Sequence, residues 1–308
     1  MESMQFGFIP LSVFAHKEKK MLHLSRKMRF LPYVLILPAF VLIFIFKLYP
    51  IITTLLESFV IDSKFSLEAY KDLFGDSSFW NSLWITIKIN LVMIPLQVLI
   101  AFLIALLVNS TIKGVGIFRT IFYLPVTISL TIACLVWNIM LNPNSGVVNS
   151  ILNMVGIPSQ DFFISKAQAL WCIVLVATWK GVGYWMMFIL AGLKNIDAAI
   201  YESAKIDGAG WWKTVTRITV PLLKKVLLFV FVANTTANIL LFVPMQVITG
   251  GGPQESTNVL MFEAYQSAFK YGDRTRSSAI VVILLILIIL ICLFQAALLN
   301  EKEEGKKK

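Results

Sequence analysis

Six stretches of this chain are too long and too apolar to be absorbed by a water-soluble core of its size: residues 30–50, 81–109, 117–141, 167–193, 226–248 and 277–299. A helix needs about 20 residues to cross a hydrocarbon layer about 30 Å thick. Each stretch meets that length, so six membrane-crossing helices are predicted. The second is long enough to tilt or to run on past the membrane. Composition agrees: 58% of the 308 residues are hydrophobic and 14% charged, against about half and about a quarter in a soluble domain.

Charge placement sets the orientation. All 17 acidic residues fall outside the six stretches. A carboxylate in lipid is costly and marks proton or sodium relays, so this absence argues against an ion-coupled carrier. Of the 27 lysines and arginines, 18 lie in residues 1–29, 110–119, 192–225 and 300–308. Six lie in the intervening loops, and Lys47, Lys88 and Lys180 lie in or at the ends of spans. Basic residues collect on the cytoplasmic side, which predicts both termini inside. Residues 1–29 form a cytoplasmic tail, residues 30–299 the membrane domain, and residues 300–308 a charged cytoplasmic tail. In the first tail the apolar stretch Phe6 to Phe14 precedes the basic cluster, the reverse of a cleaved signal. The net charge of +10 therefore reads as membrane orientation, and no nucleic-acid motif accompanies it.

The usual chemistries find no residues. Cys134, Cys172 and Cys292 are widely separated, and His16 and His23 are confined to the first tail. No HExxH, Ser/His pair or paired carboxylates lie within the spans, so neither an enzyme nor a metal site is expected. There is no GxxxxGK[ST] loop to cradle ATP phosphates. No inverted repeat of the kind common in secondary carriers is visible.

The loop at 192–225 carries the strongest signal. Ala198, Ala199, Tyr201, Ala204 and Ile206 give an apolar face to a short helix. Asp207-Gly208 breaks it, Trp211 and Trp212 open a second amphipathic piece, and Pro221 marks entry to the fifth span. On pattern alone this is either a protruding knob for a partner or a helix lying on the headgroups. The spacing Glu202-Ser203-Ala204, three residues, Gly208, nine residues, Ile218-Thr219-Val220-Pro221 closely resembles the EAA loop of binding-protein-dependent ABC importer permeases. Ser203 and Val220 are small departures from that pattern. The surrounding YESAKIDGA is similar to the version typical of the carbohydrate branch. Thr249-Gly250-Gly251-Gly252-Pro253 with Thr257, Tyr265 and Phe269 resembles the segment after the fifth span of maltose-type and glycerol-phosphate-type first permeases. The loop from Gly146 to Pro158 looks familial too.

The resemblance implies an all-α, type I (MetI-like) permease fold with a cytoplasmic coupling helix, in a bacterial or archaeal plasma membrane. It implies a heterodimer with a second permease, two cytoplasmic ATP-binding subunits and an extracytoplasmic solute-binding protein. ATP and Mg would sit on those ATPase subunits, with no cofactor held here. Glu202 would pair with a basic residue of the ATPase, Ala204 would permit close approach and Gly208 would permit the turn, with Ser203 and Asp207 also in the coupling segment. Ile218 and Pro221 would complete the loop. An ion-coupled secondary transporter, an intramembrane enzyme and a structural or receptor protein are the alternatives to this permease reading.

For the solute path, polar residues inside spans are the candidates. Asn234, Asn238 and Phe242 recur every four residues and are predicted to share a helix face. Trp179, Lys180 and Tyr184 lie at a similar depth in the fourth span, and Trp179 and Tyr184 keep the spacing of the maltose-type sugar site. Amides bond hydroxyls and rings stack on C–H faces. Alternatively, these amides and Thr235 and Thr236 only join helices.

Overall fold

The computed structural model describes residues 31–61, 64–110 and 113–304. The first tail, with His16 and His23, lies outside them, as do residues 305–308. The chain divides into two units at Leu56/Glu57.

In the first unit, helix α1 (Leu31–Ile43) passes through a π-helical turn at Phe44–Leu48 into α2 (Tyr49–Glu57). Pro38 sits inside α1. Tyr33–Glu57 is long and apolar enough to cross a membrane.

The second unit begins with a two-residue antiparallel pair, Val60–Ile61 with Lys64–Phe65. The helices α3 (Glu68–Gly75), α4 (Ser77–Val108), α5 (Val115–Thr127), α6 (Leu130–Met140), α7 (Val147–Met154) and α8 (Ala169–Lys194) follow. After them come α9 (Ala198–Ile206), α10 (Lys224–Ile239), α11 (Leu260–Phe269) and α12 (Arg274–Glu304). Helix α12 carries on into the charged tail predicted from residue 300.

Among the described residues four helices are long and apolar enough to cross a membrane, or five if α5 and α6 count as one. Two of the six predicted spans differ from expectation. The stretch 117–141 is broken: α5 and α6 meet at 97°. Pro125 lies in the last turn of α5, where it removes a backbone donor and weakens the helix just before the break. The stretch 226–248 is also interrupted. Helix α10 stops at Ile239, and a separate π-helical turn spans Met245–Thr249. Pro244 explains the stop, because its ring opposes the carbonyl four residues earlier, at Leu240.

Helices α4 and α8 form the centre of the second unit. Val98, Ala101 and Ala105 pack on Val182, Met186 and Ile189. Small residues bring backbones close, as helix contacts in lipid require. A Cβ added at Gly183 would lie 2.2 Å from the Phe122 carbonyl oxygen, so α5 crosses α8 almost backbone to backbone. One at Gly192 would meet Leu223 and Val226 at 2.9 Å.

A polar ladder runs up α4. Thr86 Oγ1 donates to the Ser82 carbonyl at 2.7 Å and Asn90 Nδ2 to that of Thr86 at 2.8 Å. Thr86 Oγ1 also accepts the Leu260 N–H at 2.8 Å, satisfying a free donor at the start of α11. Gln295 Nε2 donates to Thr235 Oγ1 at 2.7 Å, joining α12 to α10.

Candidate functional site

A cleft of about 470 Å³ opens between α4, the α5–α6 break, α8 and α10, lined by Gln97, Val126, Lys180, Tyr184, Asn234 and Asn238 among others. Lys180 and Tyr184 are four apart on α8, and Asn234 and Asn238 four apart on α10, so each pair shares a face.

Asn238 Nδ2 donates to Asn234 Oδ1 at 2.6 Å and to Gln97 Oε1 at 2.9 Å. These three amides tie α10 to α4 and leave Asn234 Nδ2 a buried donor with no partner. Lys180 Nζ donates to the Val126 carbonyl at 2.9 Å. That carbonyl belongs to the last turn of α5, where the break takes away intrahelical partners, so a cation there answers both the orphan acceptor and the helix C-terminus.

Two predicted path residues lie elsewhere. Phe242 is off the amide face, because α10 ends at Ile239 and the four-residue repeat does not continue. Its ring stacks on Tyr265 at 5.3 Å between centroids, and Tyr265 accepts from Gln246 Nε2 at 2.9 Å. Trp179 immediately precedes Lys180 on α8 and so points about 100° away from it. It meets Trp137 edge to face at 5.6 Å and lines a separate apolar groove with Trp171. Gln97 was not anticipated from sequence. Its signal was a buried amide within an apolar span. Lys88 turns to the Trp171 ring, 5.6 Å from its centroid.

The 192–225 loop forms a helix and a sharp turn. Asp197 caps α9 by accepting the Ala199 N–H at 3.0 Å. At the other end the Gly208 N–H reaches the Lys205 carbonyl at 3.1 Å and the Ala209 N–H that of Ala204 at 2.9 Å. This paired closure needs a left-handed residue, and Gly208 supplies it with φ +70°. Ala204 is buried while Glu202, Ser203 and Asp207 are exposed. Its small side chain therefore packs inward against the rest of the chain. Tyr201 Oη is 3.3 Å from Thr219 Oγ1, joining α9 to the π-helical turn Val215–Thr219. Ile218 is half-buried there, and Pro221 sits exposed at the start of the turn leading to α10. Trp211 and Trp212 are exposed, and Ile206 is 87% exposed although the pattern placed it on the apolar face.

At the opposite end of α4 and α12 is an ionic cluster. Arg276 Nη2 lies 2.5 Å from Asp76 Oδ2 and 2.9 Å from Glu263 Oε1, and Asn258 Nδ2 donates to Glu263 Oε2 at 2.9 Å. Asp76 also caps α4 by accepting the Ser78 N–H at 2.8 Å. Nearby, Thr257 Oγ1 donates to the Gly252 carbonyl at 2.8 Å and lies 2.7 Å from Thr249 Oγ1, closing the glycine-rich turn on itself. Among the described residues no group of acidic, histidine or cysteine side chains could hold a metal ion.

Comparison with known proteins gives four concordant likenesses. Residues 89–302 match the family described as "Binding-protein-dependent transport system inner membrane component". A trehalose/maltose transport system permease protein of Thermococcus litoralis is 30% identical over 257 residues, 81% of this chain and 87% of that protein. A lactose transport system permease protein of Rhizobium radiobacter is 33% identical over 78% of this chain and 83% of its own length. In fold, the chain resembles a subunit of a bacterial ABC transporter involved in importing the acidic polysaccharide alginate. The TM-score is 0.81 at 22% identity, covering 91% of this chain and 99% of that one.

Proposed function

The chain belongs to the family of binding-protein-dependent transport system inner membrane components, the permease subunits of ABC importers, and from that premise we propose that it forms half of a carbohydrate translocation pathway. The relatives named for trehalose/maltose and lactose support a saccharide or related polar solute. The observation that carries the reading is a shared pair of helices. Helices α8 and α10 line the amide cleft, and the same two hold the exposed loop of α9 between their ends. A force on α9 acts on the walls of the cleft.

In this reading α9 docks on a cytoplasmic ATP-binding subunit, with Glu202 meeting a basic residue there. A second permease supplies the facing wall, and an extracytoplasmic binding protein delivers the solute. Nucleotide-driven closure of two ATPases moves the two α9 elements together, and the cleft alternates in access. Both termini are cytoplasmic. Six crossings result if α1–α2, α4, α5–α6, α8, α10 with the preceding turn, and α12 each span once.

The test is uptake into vesicles holding the complete assembly. Accumulation should require ATP on the α9 side and survive an ionophore that collapses ion gradients. Accumulation that follows the ion gradient without ATP would refute the reading.

A further inference from the structure

The helix C-terminus at Val126 answers only part of the Lys180 charge, because its dipole amounts to about half an elementary charge. Lys180 lies near the midpoint of α8 (Ala169–Lys194), where a cation is most costly to a membrane protein. Among the described residues no Asp or Glu lines its cleft. Among the described residues the only ion pairs are those of Arg276 with Asp76 and Glu263. The bond from Lys180 Nζ to the Val126 carbonyl uses one of three ammonium donors. A neutral amide or hydroxyl could make that one bond without placing a charge at this depth. Two donors and most of the positive charge therefore remain, in a cleft also lined by Tyr184, Asn234 and Asn238.

We propose that the cleft takes a hydroxylated solute carrying an anionic group, a carboxylate or a phosphate, whose oxygens meet Lys180 while its hydroxyls meet the amides. This rests on the carbohydrate-permease reading and narrows it to acidic saccharides or polyol phosphates. In a low-dielectric cleft a charge-assisted bond is stronger than a neutral one, and an ammonium met by no full negative charge of this chain favours an anionic occupant over a neutral one.

The test uses the complete transporter with its second permease, ATPase subunits and binding protein in proteoliposomes. It is offered saccharides and polyols in matched acidic and neutral pairs, among them digalacturonate with its dimethyl ester and glycerol 3-phosphate with glycerol. The readout is the acid-to-neutral uptake ratio within one preparation, so a loss of folded protein cancels. The expected ratio is about tenfold or more in the wild type, falling to near one in Lys180→Gln and largely kept in Lys180→Arg. Which acid is accumulated separates carboxylate from phosphate. A wild-type ratio near one would overturn the anion assignment while leaving the permease reading intact. A preference for acids that survives in Lys180→Gln would overturn it as well, placing selection on another chain. ATP-driven uptake of no member of the panel would overturn the carbohydrate reading beneath it.

Discussion

Asn238 and Gln97, 141 positions apart in sequence, meet at 2.9 Å through Asn238 Nδ2 and Gln97 Oε1, in a buried contact between α10 and α4. Gln97 is 1% exposed, and removing its acceptor leaves one Asn238 amide hydrogen without its protein partner. Such an orphan costs about 1–3 kcal/mol in a soluble core, and pairs within membrane bundles average about 0.6 kcal/mol. Gln97→Leu should therefore destabilise the detergent-solubilised protein by about 1 kcal/mol. A double-mutant cycle with Asn238→Leu should show the two changes coupled. Strictly additive effects on denaturation would mean that the bond contributes nothing.

Gly183 separates packing from chemistry. Its added Cβ would strike the Phe122 carbonyl oxygen at 2.2 Å, and a backbone atom cannot swing aside. Gly181, about half a turn away, would place a Cβ no nearer than 3.8 Å to the Gln97 side chain, an ordinary contact. Gly183→Ala should lower stability by about 1–3 kcal/mol, and Gly181→Ala should leave it nearly unchanged. Thermal unfolding of both variants in the same detergent checks this, and equal midpoints would contradict the close crossing of α5 and α8.

The Asp76 cluster predicts acid sensitivity at one end of the bundle. Partial burial pushes the Asp76 carboxyl up, but the Ser78 N–H and the Arg276 guanidinium overcome it and hold it below the usual carboxylate range. A lowered folded-state pKa means that the unfolded chain takes up the proton first. The stabilisation is then complete above the ordinary carboxylate pKa of about 3.9 and is lost as pH falls through the lower folded value. Stability should decline below about pH 4, and Asp76→Asn should flatten that part of the curve while lowering the neutral plateau. An acid limb unchanged in Asp76→Asn would assign the loss to other groups.

Local features were legible in the sequence, and contacts between distant segments were not. The turn at Gly208 could be read because a breaker pair carries its own backbone chemistry, and the structure closes it with two short-range bonds. The pairs Lys180/Tyr184 and Asn234/Asn238 could be read because helical periodicity alone puts each on one face. Phe242 was misplaced because periodicity was carried past the end of a helix. Pro244 held the needed signal, as Pro125 did for the break in the third span. The Gln97–Asn238 contact and the Arg276 cluster join residues far apart in sequence, and no local pattern encodes which polar residue meets which.

Glu202 offers the sharpest test of the α9 loop, since its own fold gives it nothing to do. It is exposed on α9 and makes no ion pair or side-chain hydrogen bond among the described residues. Reversing its charge should change stability by no more than about 0.5 kcal/mol, the usual range for a surface position. A partner that presents a basic residue would instead meet repulsion where it had a charge-assisted bond. Glu202→Lys should therefore insert and purify as the wild type does, lose ATP-driven uptake, and release the ATPase subunits on co-purification. Gly208→Asp should give the same uptake defect by another route. Its φ of +70° strains any residue with a Cβ by about 1 kcal/mol, which tilts α9 without unfolding the bundle. If both variants kept full transport-coupled ATP hydrolysis, α9 would be an interfacial helix on the headgroups and the drive would enter elsewhere.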